Sequence, residues 1–155
     1  MKIRKQTFAF TILEAVMAIG VMGIATSATI ASLLKMNNNA ALSRARTGAS
    51  TVAQNQIDYL LSIQPYNPQR NQIPPELAVG TTSVGSAANP TIPIYIDPVS
   101  NLALVKGYMT TEITDMNQKV NNINTNLRRA NVRVFFKFKG QDYITVMSTL
   151  RASDI

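Results

Sequence analysis

The sequence predicts an α+β protein in which one long N-terminal helix packs against a small antiparallel sheet of three to four strands. Two observations carry this prediction. Apolar residues dominate from Gln6 to Leu34 and then recur at helical spacing as far as Ile63. In the last third of the chain, apolar and polar residues alternate with a period of two, which is typical of half-buried strands.

The segment from Gln6 to Leu34 is long enough to cross a membrane. It holds about 29 residues, and Glu14 is its single charge. A helix of that length covers about 43 Å at ~1.5 Å per residue, whereas a bilayer core of about 30 Å needs only about 20 apolar residues. Lys2, Arg4 and Lys5 precede the segment, so the positive-inside rule places the N-terminus in the cytoplasm.

A lone carboxylate within such a helix needs an explanation. Insertion scales put the cost of an acidic side chain at the centre of a membrane helix at about 3 kcal/mol. Acids in this setting usually mark a function and are neutralised by a specific partner. The residues that precede Glu14 indicate which partner to expect.

Ala9, Phe10 and Thr11, followed by Glu14, resemble the N-terminal signal of type IV pilins and pseudopilins. The resemblance implies that a prepilin peptidase cuts between Ala9 and Phe10 and that Phe10 is then N-methylated. It assigns Glu14 the role of the assembly carboxylate. It further implies a bacterial inner-membrane protein with a cytoplasmic leader (1–9) and a periplasmic C-terminal domain, which later enters a pilus or pseudopilus.

Electrostatics agree with this role for Glu14. Cleavage would leave an α-amine on Phe10 that is largely protonated near neutral pH. Two opposite charges about 4 Å apart attract by roughly 4 kcal/mol at an effective dielectric constant of 20. An amine on a neighbouring subunit would therefore offset most of the cost of burying Glu14, and the pair would define the register between subunits.

The patterns divide the chain into a leader (1–9), a transmembrane half-helix (10–34), an exposed amphipathic half-helix (35–63) and a periplasmic loop and sheet (64–155). Pro65 ends the helix, because proline disfavours helix at the residue before it. The stripe expected to face the sheet consists of Leu42, Ala45, Ala49, Val52, Gln56, Leu60 and Ile63, flanked by Ile57 and Leu61.

All seven prolines of the chain lie between residues 64 and 100, which predicts a loop. Alternating apolar residues at 92–96 predict one strand within this loop. Because proline cannot donate a ladder hydrogen bond, Pro93 restricts that strand to a sheet edge.

A first regular strand is predicted at 102–113 and a second at 132–138. Gly140 then supplies the positive φ of a tight hairpin turn. The stretch 115–131 is predicted to be a loop or a short helix. The return strand after the turn is expected to continue the buried apolar face with Ile144, Val146 and Leu150.

The exposed half-helix and the C-terminal strands also resemble one part of the pilin family. Residues 46–54 with Ile57 and Leu60, and residues 132–152, are similar to PilV-type minor pilins and to minor pseudopilin I of type II secretion. The resemblance implies a structural subunit of a type IV pilus or a type II secretion pseudopilus. Its partners would be prepilin peptidase, other pilin or pseudopilin subunits through the N-terminal helix, the inner-membrane assembly platform and membrane lipid.

A secretory signal peptide or a plain membrane anchor would also account for the N-terminal segment. A signal peptide would end at Thr26-Ser27-Ala28, but the apolar run is about twice the usual length of such a peptide's apolar region. A plain single-pass anchor would leave Glu14 near the membrane interface.

Nucleic-acid binding in a DNA-uptake machine belongs to a different class of function, which some pilin-like proteins perform. Its basis would be a basic stripe formed by Arg128, Arg129, Arg133, Lys137 and Lys139. The favoured explanation is a solvated strand face whose cations discourage edge pairing. Nucleic acid is therefore the less favoured partner.

Composition argues against an enzyme. The chain has neither His nor Cys, so the usual zinc ligands, the commonest general base and disulfides are all missing. The formal net charge is +7, and loss of the three leader cations would leave a mild +4. We expect no catalytic residue, cofactor or metal site. Four acidic residues that could serve in catalysis are scattered along the sequence: Asp97, Glu112, Asp115 and Asp142.

Overall fold

The computed structural model describes residues 11–96, 103–116, 119–120, 123–124 and 126–154. The chain forms two compact units, of which one ends at Ala41 and the other begins at Leu42. Helix α1 covers Ile12–Ser62, so the prediction of one long N-terminal helix is confirmed. The first unit, as far as it is described, consists of this helix alone.

The second unit combines the C-terminal part of α1 with an antiparallel sheet. Its strands are β1 (Gly80–Val84), β2 (Ile92–Ile96), β3 (Ala103–Asp115), β4 (Lys119–Val120), β5 (Ile123–Asn124), β6 (Arg128–Phe138) and β7 (Gln141–Arg151). Strand β6 lies between β3 and β7, and both β1 and β2 pair with the other edge of β3. Strands β4 and β5 form a separate two-stranded sheet.

The α+β class is confirmed, but the main sheet has five strands rather than three to four. The additional strand, β1, comes from the proline-rich segment. The predicted strand at 92–96 is β2, and β1 was missed because its sequence is polar and all its side chains are exposed. Strand β1 joins the sheet through backbone pairing with β3, which leaves no apolar pattern in the sequence.

Helix α1 approaches the sheet through small side chains. Ala45, Ala49 and Ala53 follow one another at four-residue spacing and are fully buried. Between them, Gly48 lies so close to β2 that a Cβ placed on it would stand 3.0 Å from the carbonyl carbon of Ile94, with the oxygen closer still. The rest of the core is larger: Ile57, Leu60, Tyr66, Leu77, Ile94, Val105, Met109, Ile113, Val132, Val134 and Phe136.

The predicted hairpin between β6 and β7 is confirmed. Its two turn residues, Lys139 and Gly140, have φ values of +49° and +80°, as a type I′ turn requires. The turn sets the register so that Phe136 lies opposite Tyr143. Tyr143 therefore faces the core with the other odd-numbered residues of β7.

The prediction for the return strand was wrong as a result of this register. Ile144, Val146 and Leu150 lie on the outer face of the sheet and are 53%, 55% and 54% exposed. The prediction that 115–131 is a loop or short helix was also wrong in part. Strand β6 already begins at Arg128, opposite Asp115, and β4 and β5 fall within this stretch.

The C-terminal residues stabilise the end of α1 through hydrogen bonds and an ion pair. The Arg151 guanidinium donates hydrogen bonds to the carbonyl oxygens of Leu61 and Ile63, the latter over 2.8 Å. It also forms an ion pair of 3.1 Å with Asp154, whose carboxylate accepts a 2.8 Å hydrogen bond from the backbone N–H of Tyr66. Arg151 thus satisfies carbonyl groups that a helix end leaves without partners.

Candidate functional site

The predicted site begins where α1 begins. Ala9 and Phe10, the predicted cleavage and methylation residues, lie outside the described residues. The backbone N–H of Glu14 donates to Thr11 Oγ1 over 3.3 Å, so Thr11 is the N-cap and Glu14 the third residue of the helix. Thr-x-x-Glu is the sequence pattern of a capping box, and a carboxylate in the first turn is stabilised by the helix dipole.

This local role of Glu14 was missed in the sequence, although the Thr-x-x-Glu spacing could have revealed it. The capping pattern explains why an acid is tolerated at the start of a helix. It does not require a negative charge, because glutamine serves at the same position. Charge is thus the property that separates a helix-capping role from an assembly role.

Glu14 is surrounded by apolar surface. It borders a shallow apolar strip along α1 that is lined by Met17, Ala18, Val21, Met22 and Ala25. The side chain is exposed, and no Lys or Arg among the described residues forms an ion pair with it.

The first unit exposes apolar side chains on all sides of the helix. The exposed large side chains include Ile12, Leu13, Val16, Met17, Ile19, Val21, Met22, Ile24, Ile30, Leu33, Leu34 and Met36. Helix α1 is long and apolar enough in this part to cross a membrane. The chain thus has a candidate membrane-spanning helix near its N-terminus.

Three hydroxyl groups of this segment are satisfied within the helix. Each of three side chains donates to the carbonyl four residues earlier over 2.7–2.8 Å: Thr26 to Met22, Ser27 to Gly23 and Thr29 to Ala25. An unpaired polar group is costly in lipid. Internal pairing lets these residues face hydrocarbon without that cost.

The basic stripe predicted on the C-terminal strands is wrong for Arg128. Its side chain is buried on the core side of the sheet, with the residue 8% exposed. The guanidinium donates to the carbonyl oxygen of Leu77 and lies 5.4 Å from the ring centre of Tyr66. Arg128 therefore stabilises the loop after α1 and is not available to an external ligand.

Two of the remaining cations on β6 face carboxylates. Arg133 forms an ion pair of 3.0 Å with Glu112 on β3, and Lys137 lies 3.8 Å from Asp142 on β7. The outer face of the sheet consequently carries both signs of charge rather than a continuous basic surface.

Two of the carboxylates considered for catalysis are engaged in ion pairs. Glu112 and Asp142 belong to the two ion pairs on the outer face, and Asp97 lies outside the described residues. Within the described ranges, no group of three or more His, Cys, Asp or Glu residues is arranged to hold a metal ion.

The chain matches no protein-family model, no curated protein and no solved structure with which it was compared.

Proposed function

We propose that the chain is a structural subunit, a minor pilin or pseudopilin, of a type IV pilus or a type II secretion pseudopilus. A prepilin peptidase would process it between Ala9 and Phe10, and the N-terminal helix would then assemble with other subunits. The observation that carries the proposal is Glu14, the one acid on a helix surface that is otherwise apolar, four residues after Phe10.

The exposed carboxylate of Glu14 is costly in lipid unless it is paired. At the bilayer centre an acid costs about 3 kcal/mol on insertion scales, and the cost is smaller near the interface. The freed amine of Phe10 on a neighbouring subunit would recover roughly 4 kcal/mol at about 4 Å. Pairing is therefore favourable only when one helix stands at a particular height relative to the next, and this selects the assembled register.

The structure supports a subunit that passes from lipid into a filament core. Apart from Glu14 and Lys35, the described surface of 12–36 exposes large apolar side chains on all sides, so it suits contact with lipid or with equally apolar helices. The compact second unit, which begins at Leu42, would stand on the periplasmic side. Head-to-tail contacts between such subunits generate helical filaments.

The capping geometry at Thr11 favours a second candidate, a plain single-pass membrane-anchored domain. In that case Glu14 would only stabilise the start of the helix. The two candidates make opposite predictions for Glu14→Gln, because glutamine retains the capping box but carries no charge.

The test compares Glu14→Gln and Glu14→Val with the unchanged chain in the parent bacterium. We expect both variants to be cleaved and inserted in the membrane but to be absent from the sheared filament fraction. Thr26→Val is the matched control, since it removes a hydroxyl already satisfied inside the same helix. Normal incorporation of Glu14→Gln would exclude the register role and leave the anchored domain.

A further inference from the structure

The outer face of the main sheet carries a pocket that takes no part in the proposed function. Its volume is about 270 Å³, at the small end of the range for ligand sites, which suits a ligand of a single ring. The loop between β1 and β2 contributes Ala87 and Pro90. The other lining residues belong to β3, β6 and β7: Lys106, Gly107, Tyr108, Phe135, Phe136, Lys137, Asp142 and Tyr143.

Three rows of neighbouring residues on these strands build the pocket. The middle row consists of Gly107, Phe136 and Tyr143. It forms the floor, because the side chains of Phe136 and Tyr143 pack toward the core. Successive side chains of a strand point to opposite faces, so the row on each side of the floor directs its side chains outward. One of these rows is charged and the other is aromatic.

The charged row holds one more cation than its carboxylate balances. Lys137 lies opposite Asp142, and their charged atoms are 3.8 Å apart. Gly107 lies opposite Phe136, so the next position along β3 and β6 places Lys106 beside Lys137. Lys106 is exposed and forms no ion pair with the acids that the structure describes. Because like charges side by side on adjacent strands repel, a bound anion would relieve a repulsion already present.

The aromatic row presents the edges of its rings to the pocket. Tyr108 and Phe135 stack with their ring centroids 4.6 Å apart and their planes 6° from parallel. This distance nearly equals the spacing of neighbouring strands, about 4.7–4.9 Å, so the stack runs across the strands and the ring edges point along them. The edges carry partial positive charge, because the negative density of an aromatic ring lies over its faces.

We propose that this pocket binds a small aromatic carboxylate, a single ring with one negative charge. The carboxylate pairs with Lys106, and it matches the net charge of +1 that two lysines and one aspartate give the charged row. The face of the ligand ring lies against the edges of Tyr108 and Phe135, in the edge-to-face arrangement that aromatic pairs favour. Ala87 and Pro90 add apolar contact from the side of the sheet.

The electrostatics of the lining favour this class over related ligands. Lysine ammonium groups and aromatic edges are both positive, and both attract the negative face of an aromatic ring. A phosphate monoester carries nearly two negative charges near neutral pH, more than the row balances. A neutral ring would leave Lys106 without a counter-charge.

The pocket is independent of the proposed filament contacts. All its lining residues belong to the second unit, and none lies on α1. Failure of ligand binding would therefore leave the processing and assembly proposal untouched, and the reverse also holds.

Titration with benzoate of the isotope-labelled full-length protein in detergent micelles tests the proposal by nuclear magnetic resonance. For a ligand of this size we expect a Kd on the order of 1 mM. The backbone amide signals of the floor residues Gly107, Phe136 and Tyr143 should shift along one saturating curve. The amide signal of Ser148, near the other end of β7 and outside the pocket, should not move.

Two probes separate the charge of the ligand from its aromatic face. Benzamide is neutral and should bind about tenfold more weakly than benzoate, because it lacks the charge-assisted contact with Lys106. Cyclohexanecarboxylate keeps the charge but has no aromatic face. It should bind about fivefold more weakly, which corresponds to the loss of an edge-to-face contact.

Three variants assign the binding to the charged row. Lys106→Met keeps most of the side-chain length and should weaken benzoate binding about tenfold. Arg129→Gln, at an exposed cation on β6 outside the pocket, is the matched control and should leave the Kd unchanged. Asp142→Asn removes the competing carboxylate from Lys137 and should tighten binding about two- to fivefold. A gain in affinity does not arise from a damaged fold.

The proposal is overturned if benzoate leaves the floor signals unmoved, or if Lys106→Met binds it as tightly as the unchanged chain does. Equal affinity for benzamide would refute the role of the charge. Equal affinity for cyclohexanecarboxylate, or for glucuronate as a non-aromatic sugar acid, would refute the aromatic assignment.

Discussion

Replacement of Gly48 by alanine tests how closely α1 packs on the sheet. In an unpacked helix the change would stabilise by about 1 kcal/mol, because glycine is a poor helix former. At Gly48, however, the added Cβ would lie 3.0 Å from the carbonyl carbon of Ile94 and closer to its oxygen. This is backbone of β2, which is paired with β3 and has no rotamer by which to move aside.

Overpacking of this kind costs about 1–3 kcal/mol of unfolding free energy. Because the added Cβ meets main-chain atoms of Ile94, we expect the cost of Gly48→Ala to lie at the upper end of that range. After the helix-propensity gain, the expected net loss is about 2 kcal/mol. For a chain of this size that corresponds to a fall in Tm of about 4–8 °C.

The assay is thermal unfolding of the full-length protein in detergent, followed by the near-ultraviolet signal of its tyrosines. Asn55→Ala is the matched control, since Asn55 is exposed on the same helix and its replacement should stabilise by a few tenths of a kcal/mol. If Gly48→Ala proves as stable as the unchanged protein, the close approach of α1 to β2 is wrong.

Two other substitutions test the contacts around the end of α1. Arg151→Lys should lower the unfolding free energy by about 1.5–3 kcal/mol. The single ammonium nitrogen of lysine does not reproduce the two guanidinium nitrogens that donate to Leu61 and Ile63. Arg70→Lys, at an exposed residue, should cost nothing measurable. Burial raises the pKa of Tyr66 above the usual tyrosine value, so the phenol loses its proton more readily in the unfolded chain. The free energy of unfolding should therefore be highest at neutral pH and fall as the pH rises through the range in which tyrosine titrates. Tyr66→Phe should flatten that alkaline loss, whereas Tyr59→Phe, at an exposed residue, should retain it.

The helix and the centre of the sheet were accessible to sequence reasoning because burial leaves a periodic pattern there. Val132, Val134 and Phe136 follow one another at a spacing of two, and all three are buried. Gly140 predicted the hairpin that follows. In each case the local preference and the tertiary environment demand the same residue type.

The orientation of β7 was mispredicted because its two faces are similarly apolar. Ile144 and Val146 alternate with Tyr143 and Met147, so hydrophobicity alone does not select the inner face. The turn length does select it. A two-residue turn puts Phe136 opposite Tyr143, and paired residues share a face of the sheet.

The burial of two arginines could not be predicted from the sequence for another reason. Arg128 and Arg151 bond to main-chain carbonyls of Leu77 and Leu61, which lie 51 and 90 residues away along the chain. No local pattern reports such distant partners. At the candidate site, Glu14 was identified from the sequence, but its capping contact with Thr11 was overlooked.

The proposed function requires that the chain is processed after Ala9 and acts through its new N-terminus. Mass spectrometry of the intact protein, purified from the membranes of its own bacterium, identifies that N-terminus. We expect a chain that begins at Phe10 and carries one methyl group on its α-amine. A chain that begins at Met1, or at Thr29 after signal-peptide cleavage, would contradict it.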